Sequence, residues 1–287
     1  MLYVTEALRI IATRWQDNIV FKGGTSLSKG WNLIERFSED LDLFLNRDTY
    51  QPKLSKNQVT KELRSIQTAV LDCPELILST AGRSEVGVSR TSYFNYSAIF
   101  PGLGNTSNQV MLEMGTRSGN YPITTIQLSS YLAEFLIDAG TSLGANDESS
   151  FPMQLLHFRR TFVEKLFSIH SHVTEYQLSG KPISTYARHY YDLFCLAQQP
   201  EVQEMIDGLE YQEIKQDVEN ISQEHFTFLH HTPVDLSFAN SQALFPTGEL
   251  RTLIIKEYQQ QCRDLCYGSY PVWQEVADTF EQMRNKL

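Results

Sequence analysis

Hydrophobic and polar positions follow two different periods along this chain, and the change of period divides it. Thr5-Glu6-Ala7-Leu8-Arg9-Ile10-Ile11 places apolar residues at helical spacing and predicts an amphipathic helix over residues 3–14. The short apolar run 18–22 reads as a strand, 25–35 as a helix, and 41–45 as a second strand. A polar, lysine-bearing stretch follows, then a helix near 58–72 and strand patterns at 92–100, 110–116 and 123–128. Such a mixture predicts an α/β (α+β) first half, a mixed sheet with helices packed on it. Residues 138–152 are rich in Gly, Ser, Asn and Asp and carry no period, so a boundary is expected there. Beyond it nearly everything reads as helix. The expected organisation is therefore a sheet domain over 1–140 and a helical domain over 150–287, with no internal repeat.

Composition sharpens this picture by exclusion. A chain of 287 residues can bury a core without disulfide or structural metal. Its hydrophobic fraction of 41% and charged fraction of 20% are those of a soluble globular protein, and no apolar run approaches the length of a membrane span. The start of the chain lacks the basic stretch and small-residue cleavage site of a signal peptide, so a cytoplasmic location is expected. Cys73, Cys195, Cys262 and Cys266 are too sparse for a disulfide framework and are expected as thiols, mostly buried. Cys262 and Cys266 share a helical spacing, but a zinc site needs two further ligands at short range, and His230 and His231 lie about thirty positions upstream. The net charge of −10 argues against a broad basic face for nucleic acid while allowing a local basic patch.

Candidate chemistry begins at Phe21-Lys22-Gly23-Gly24-Thr25-Ser26-Leu27-Ser28-Lys29, which runs from a strand end through two glycines into a helix start. Glycine lets a backbone approach a ligand closely, and free N–H groups at a helix start favour an anion. The same sequence is also an ordinary turn with an N-cap. Its glycine spacing fits neither the P-loop nor the dinucleotide fingerprint.

Shortly downstream, Asp40-Leu41-Asp42-Leu43-Phe44-Leu45 alternates acid with apolar residues. In a strand, residues two apart share a face, so Asp40 and Asp42 project together while the leucines enter the core. Two carboxylates on one strand suit Mg²⁺, which takes one or two carboxylates and completes its shell with water and phosphate. Alone, an Asp-x-Asp pair is more readily a solvated strand edge; the preceding phosphate-type turn reverses that balance in favour of metal. Glu113, in Val110-Met111-Leu112-Glu113-Met114, lies opposite the apolar face of its strand, either as a third metal ligand or facing solvent.

The paired stretches Lys22-Gly23-Gly24-Thr25-Ser26-Leu27-Ser28-Lys29 and Arg36-Phe37-Ser38-Glu39-Asp40-Leu41-Asp42-Leu43 resemble the N-terminal signature of AbiEii-type nucleotidyltransferase toxins, of the polymerase β-like superfamily. Arg160-Thr161-Phe162-Val163-Glu164-Lys165-Leu166 and Arg188-His189-Tyr190-Tyr191-Asp192-Leu193 are similar to the family's later lysine and aspartate motifs, in the same order. The resemblance covers roughly residues 1–200. It implies that Lys22, Gly23, Gly24, Thr25, Ser26 and Lys29 bind the triphosphate of an NTP and that Asp40 and Asp42 hold Mg²⁺, with Glu113 the open third ligand. It further implies that Lys165 and Asp192 complete the site from the helical half, in the cleft between the domains. The implied reaction is attack of an acceptor hydroxyl on the α-phosphate with release of pyrophosphate. Its setting is a toxin–antitoxin or phage-defence system, with the 3′ end of tRNA as acceptor and a cognate antitoxin as partner. Many relatives carry an aspartate where this chain has His189, so that residue's role does not transfer.

Physical reading of these later motifs leaves plainer alternatives open. A lone helical lysine such as Lys165 is most often a solvated face residue, and Asp192 stands at i, i+4 from Arg188, the spacing of a weak surface ion pair. His170 and His172, two apart on a helix, point away from each other and read as polar surface positions. The rival functional readings are a nucleotidyltransferase acting on a small molecule or protein hydroxyl, and a non-catalytic binding relative.

Overall fold

The helical period at the start of the chain becomes α1 (Leu2–Trp15), with Val4, Ala7, Leu8 and Ile11 buried along one stripe. The computed structural model describes residues 2–38, 40–97, 108–145, 148–228 and 230–287. These form two compact units, Met1–Trp31 with Ser38–Leu156, and Asn32–Phe37 with His157–Leu287.

In the first unit α1 is followed by β1 (Ile19–Lys22), a three-residue helical turn α2 (Gly23–Thr25) continuing as a π-helical turn Ser26–Gly30, and β2 (Asp40–Leu45). Next come α3 (Lys56–Ala69), β3 (Ile77–Leu78), β4 (Ser84–Val86), β5 (Ser89–Asn95), β6 (Gln109–Gly115), β7 (Ile123–Leu128), α4 (Tyr131–Asp138) and β8 (Phe151–Leu156). α3 starts where Ser55 and Gln58 satisfy each other's backbone N–H groups in a capping box. The strands form one mixed sheet in the order β3-β5-β6-β2-β1-β8-β7, with β4 added on β5. β1 runs parallel to β8 and β2 parallel to β6, while β1 and β2 are antiparallel. Leu8 and Ile11 of α1 share one core with Val59, Leu63 and Ile66 of α3 and with Phe21, Leu41, Leu43 and Leu112 of the sheet.

Three sequence expectations differ from this arrangement. The helix expected over 25–35 stops at Gly30, and Asn32 adopts a left-handed φ of 52°, which no continuing helix tolerates. Trp31 and Ile34 mimic helical spacing yet fall in different units. The strand Phe151–Leu156 lies inside the segment read as boundary and helix. Its Pro152 masks it, since proline demotes a strand pattern, but Pro152 sits outside the stretch hydrogen-bonded to β1, where Gln154 and Leu155 pair with Val20 and Phe21. The strand expected over 92–100 is found at Ser89–Asn95, and residues 98–100 lie outside the described residues.

The second unit is helical: α5 (Phe158–Ser179), α6 (Arg188–Ala197), α7 (Pro200–Asp207), α8 (Leu209–His225), α9 (Gly248–Leu265) and α10 (Trp273–Met283). α5 buries Phe162, Leu166, Ile169 and Val173 along one stripe and ends at Gly180, whose φ of 76° closes it with a left-handed cap. The segment Asn32–Phe37 docks on the end of α9. Phe37 N–H donates to the Leu265 carbonyl at 2.9 Å and Tyr267 N–H to the Glu35 carbonyl at 3.0 Å. All four cysteines are free thiols, Cys73 and Cys262 buried, Cys195 and Cys266 half-buried. His170 and His172 are half-buried rather than at the surface: His170 meets the Ser241 hydroxyl and His172 stacks on Tyr186. Among the described residues no helix is long and apolar enough to cross a membrane.

Candidate active site

Alternation along β2 shapes the candidate site of the first unit. Leu41 and Leu43 are buried and Asp40 and Asp42 half-exposed, so both carboxylates stand on the face opposite the leucines. The neighbouring strands bring in two more charges. Asp42 is paired in register with Lys22 of β1 on one side and with Glu113 of β6 on the other. Glu113 therefore joins the acidic pair: its carboxyl is pushed up to about 7, first by burial and then by the charges of Asp42 and Asp40, against the opposing pull of Lys22. The register places the half-buried Glu113 beside the acidic pair.

The glycine turn shapes the same place. Gly23 has φ +78°, and a Cβ there would fall far inside contact distance of Oδ2 of Asp42. Only glycine satisfies both demands. The hydroxyls of the turn are used internally: Thr25 Oγ1 donates to the Asp40 carbonyl at 2.6 Å and Ser26 Oγ to the Gly23 carbonyl at 2.9 Å. The first fastens the turn to β2 and the second closes the turn on itself. Lys29 points elsewhere, donating from Nζ to the Ser129 carbonyl at 2.8 Å and lying over the Tyr131 ring. Burial holds its ammonium down to about 8. What the turn retains for an anion is backbone N–H groups and Lys22.

Among the described residues no three Asp, Glu, His or Cys side chains are disposed as a ready-made metal cage. Mg²⁺ does not require one, because two carboxylates with water and phosphate suffice. The donor set fits it: three hard carboxylates on adjacent strands, with Glu113 pushed up to about 7 by burial and by its acidic neighbours.

The second unit carries a separate buried charge cluster. Asp192 on α6 has no exposed side-chain surface and receives Arg36 in a two-point contact, Nε to Oδ1 at 2.6 Å and Nη2 to Oδ2 at 2.8 Å. Lys165 on α5, itself only 8% exposed, meets Oδ2 of the same carboxylate at 2.7 Å. Both plainer readings of these residues fail, for Lys165 is not solvated and Asp192 faces a partner 156 positions away in sequence. Burial alone would raise the Asp192 carboxyl, but Arg36 and Lys165 outweigh it and hold it well below the usual range. Lys165 is lowered by burial, with Arg36 competing for the same anion.

His189 completes this cluster, with Nδ1 at 3.2 Å from Lys165 Nζ. In the sequence His189 carried no transferable role, and Arg36 stood only as part of the signature stretch, with no partner in view. A usable signal existed: Asp192 falls on the buried face of α6 with Tyr190, Leu193 and Leu196, where a carboxylate needs cations to be tolerated. Two further arginines of the second unit are matched by acids, Arg159 with Glu210 at 2.9 Å and Arg160 with Glu164 at 3.0 Å and Asp217 at 2.6 Å.

The mixed sheet with its acidic strand pair, followed by a helical unit, is the fold of a nucleotidyltransferase toxin. The chain matches the structure of MenT4, a nucleotidyltransferase toxin from Mycobacterium tuberculosis H37Rv, with a TM-score of 0.50 at 13% identity, over 99% of this chain and 89% of that one. At that identity the likeness speaks to fold alone. The chain belongs to the family of the nucleotidyltransferase AbiEii toxin of type IV toxin–antitoxin systems, whose family model matches residues 7–277. It is accordingly a transferase. No curated protein sequence matches it.

Proposed function

We propose that the protein moves a nucleotide from an NTP to the 3′ end of tRNA, as the toxin of a toxin–antitoxin or phage-defence pair. The observation that carries this reading is the convergence of Asp40, Asp42 and Glu113 on adjacent strands beside a glycine turn that leaves room for the Asp42 carboxylate. Asp40 and Asp42 would hold Mg²⁺, with Glu113 as the further ligand. When bound, Mg²⁺ supplies charge neutralisation at the phosphates and a lowered pKa for the attacking hydroxyl. Gly23 keeps the carboxylate face open, and Thr25 and Ser26 fix the turn whose backbone, with Gly24 and Lys22, would meet the triphosphate. Lys165 is assigned to the same reaction on the resemblance of its motif, as a point charge for phosphate held by Asp192. A cytoplasmic location and a cognate antitoxin belong to the same proposal.

One observation favours a different acceptor. Arg36, Arg159 and Arg160, which an RNA-binding surface would draw on, are neutralised inside the chain, and the net charge is −10. A small-molecule or protein hydroxyl is the second reading. Label transfer from each α-labelled NTP into purified tRNA, with its 3′ terminus free or periodate-blocked, separates them. Labelling confined to free 3′ ends supports tRNA; equal labelling of blocked tRNA, or label only in protein or metabolites, overturns it and leaves the transferase standing.

A further inference from the structure

Lys165 Nζ has three N–H donors and no acceptor. One is taken by Oδ2 of Asp192 at 2.7 Å and a second by Nδ1 of His189 at 3.2 Å. Among the described residues the third has no protein acceptor. Because an ammonium can only donate, this contact uses an unprotonated Nδ1 and puts the ring proton on Nε2; the same Nδ1 lies 3.6 Å from Oδ2 of Asp192, beyond hydrogen-bond reach. The imidazole is held for this: its side chain is 13% exposed, and its ring meets Tyr186 edge-on at 5.9 Å between centroids. Burial first, and then the charge of Lys165, push its pKa down to about 3, so it stays neutral across the working range.

We infer that His189 is a positioning residue, which aims the free N–H of Lys165 by accepting a hydrogen bond at Nδ1 without cancelling the lysine's charge. The inference rests on the reading that Lys165 serves the transferred nucleotide. Electrostatics supply the reason for an imidazole. The groups facing Lys165 are the carboxylate of Asp192, the guanidinium of Arg36 and, acting through space, that of Arg188. Lys165, Arg36 and Arg188 against the single carboxylate of Asp192 leave an excess of positive charge, the sign needed for a phosphate oxygen. An acid at 189 would accept the same hydrogen bond but cancel one unit of that excess. An apolar residue would keep the charge but leave the ammonium free to turn about its single remaining anchor.

The test uses the full chain, with equilibrium binding of each of the four NTPs in Mg²⁺ and label transfer to total RNA. Asn places an acceptor oxygen near Nδ1, whereas Gln carries it out towards Nε2. His189→Leu is expected to weaken binding of the preferred NTP about tenfold, and His189→Asn to restore most of it. His189→Gln is expected to behave like His189→Leu. In a Lys165→Ala background, His189→Leu should make no further difference, an outcome that a merely structural role does not give. Wild-type behaviour of His189→Leu beside an impaired Lys165→Ala overturns the positioning role and leaves Lys165 in place. An unimpaired Lys165→Ala removes the reading beneath it, and this inference with it. If His189→Leu does not fold, equal behaviour of the Asn and Gln variants overturns the inference, and rescue by Asn alone supports it.

Discussion

Gly23 and Asp42 compete for one volume: the carboxylate Oδ2 of Asp42 occupies the space where any side chain at position 23 would begin, and the backbone there has φ +78°. Gly23→Ala therefore has to move the carboxylate or the turn. It should lower nucleotide transfer by about a hundredfold or more, the order expected when a catalytic group is misplaced by an ångström. The strain of a positive φ should cost only on the order of 1 kcal/mol in stability. Transfer kinetics and a urea midpoint on the same sample check both parts, and a fully active, folded Gly23→Ala would remove the steric argument.

Asp42→Ala should abolish transfer while the fold persists, because the residue is half-exposed and its removal relieves crowding among acids. The expected gain in metal-free stability, read as a raised melting temperature in chelator, separates loss of chemistry from loss of structure.

Glu113 gives a pH dependence whose sign follows from its raised folded-state pKa of about 7. A carboxyl raised in the folded state contributes stability below its unfolded value and loses it as pH climbs through the folded one. Metal-free protein should thus become less stable between about pH 5 and pH 8, by on the order of 1 kcal/mol after solvent screening. Mg²⁺ should reverse the loss and release a proton on binding below neutral pH. Thermal scans across pH with chelator or Mg²⁺ test this, and Glu113→Gln should flatten the chelator curve.

Arg36→Ala leaves a fully buried carboxylate with Lys165 as its remaining close cation. A loss of about 3–5 kcal/mol is expected, the range for breaking a buried pair from one side, and Arg36→Lys should recover only part because the two-point contact is gone. Denaturant midpoints at constant m-value decide this.

Lys165→Ala should diminish transfer and also lower stability by about 1–3 kcal/mol, since this lysine is buried and shares the Asp192 carboxylate. A solvated lysine, the plainer reading of the sequence, would instead leave the melting temperature unchanged. Lys165→Met, which keeps the apolar stem, should recover stability without recovering transfer.

Local pattern by itself determined much of this protein. The alternation of acid and leucine in β2 put Asp40 and Asp42 on one face, because a strand's side-chain period is two whatever surrounds it. The stripe in α1 and the positions of β6 and β7 are equally local. Tertiary structure alone decided where each remaining charge is spent. Glu113 joins the acids through the register of β6 on β2, which no single strand encodes. Lys29 is turned to Ser129, and Arg36 reaches Asp192 across 156 positions. The physical reason is common to these cases. An isolated charged residue in a sequence reads as solvated, and only the packed chain reveals which charges have lost their water and must find one another.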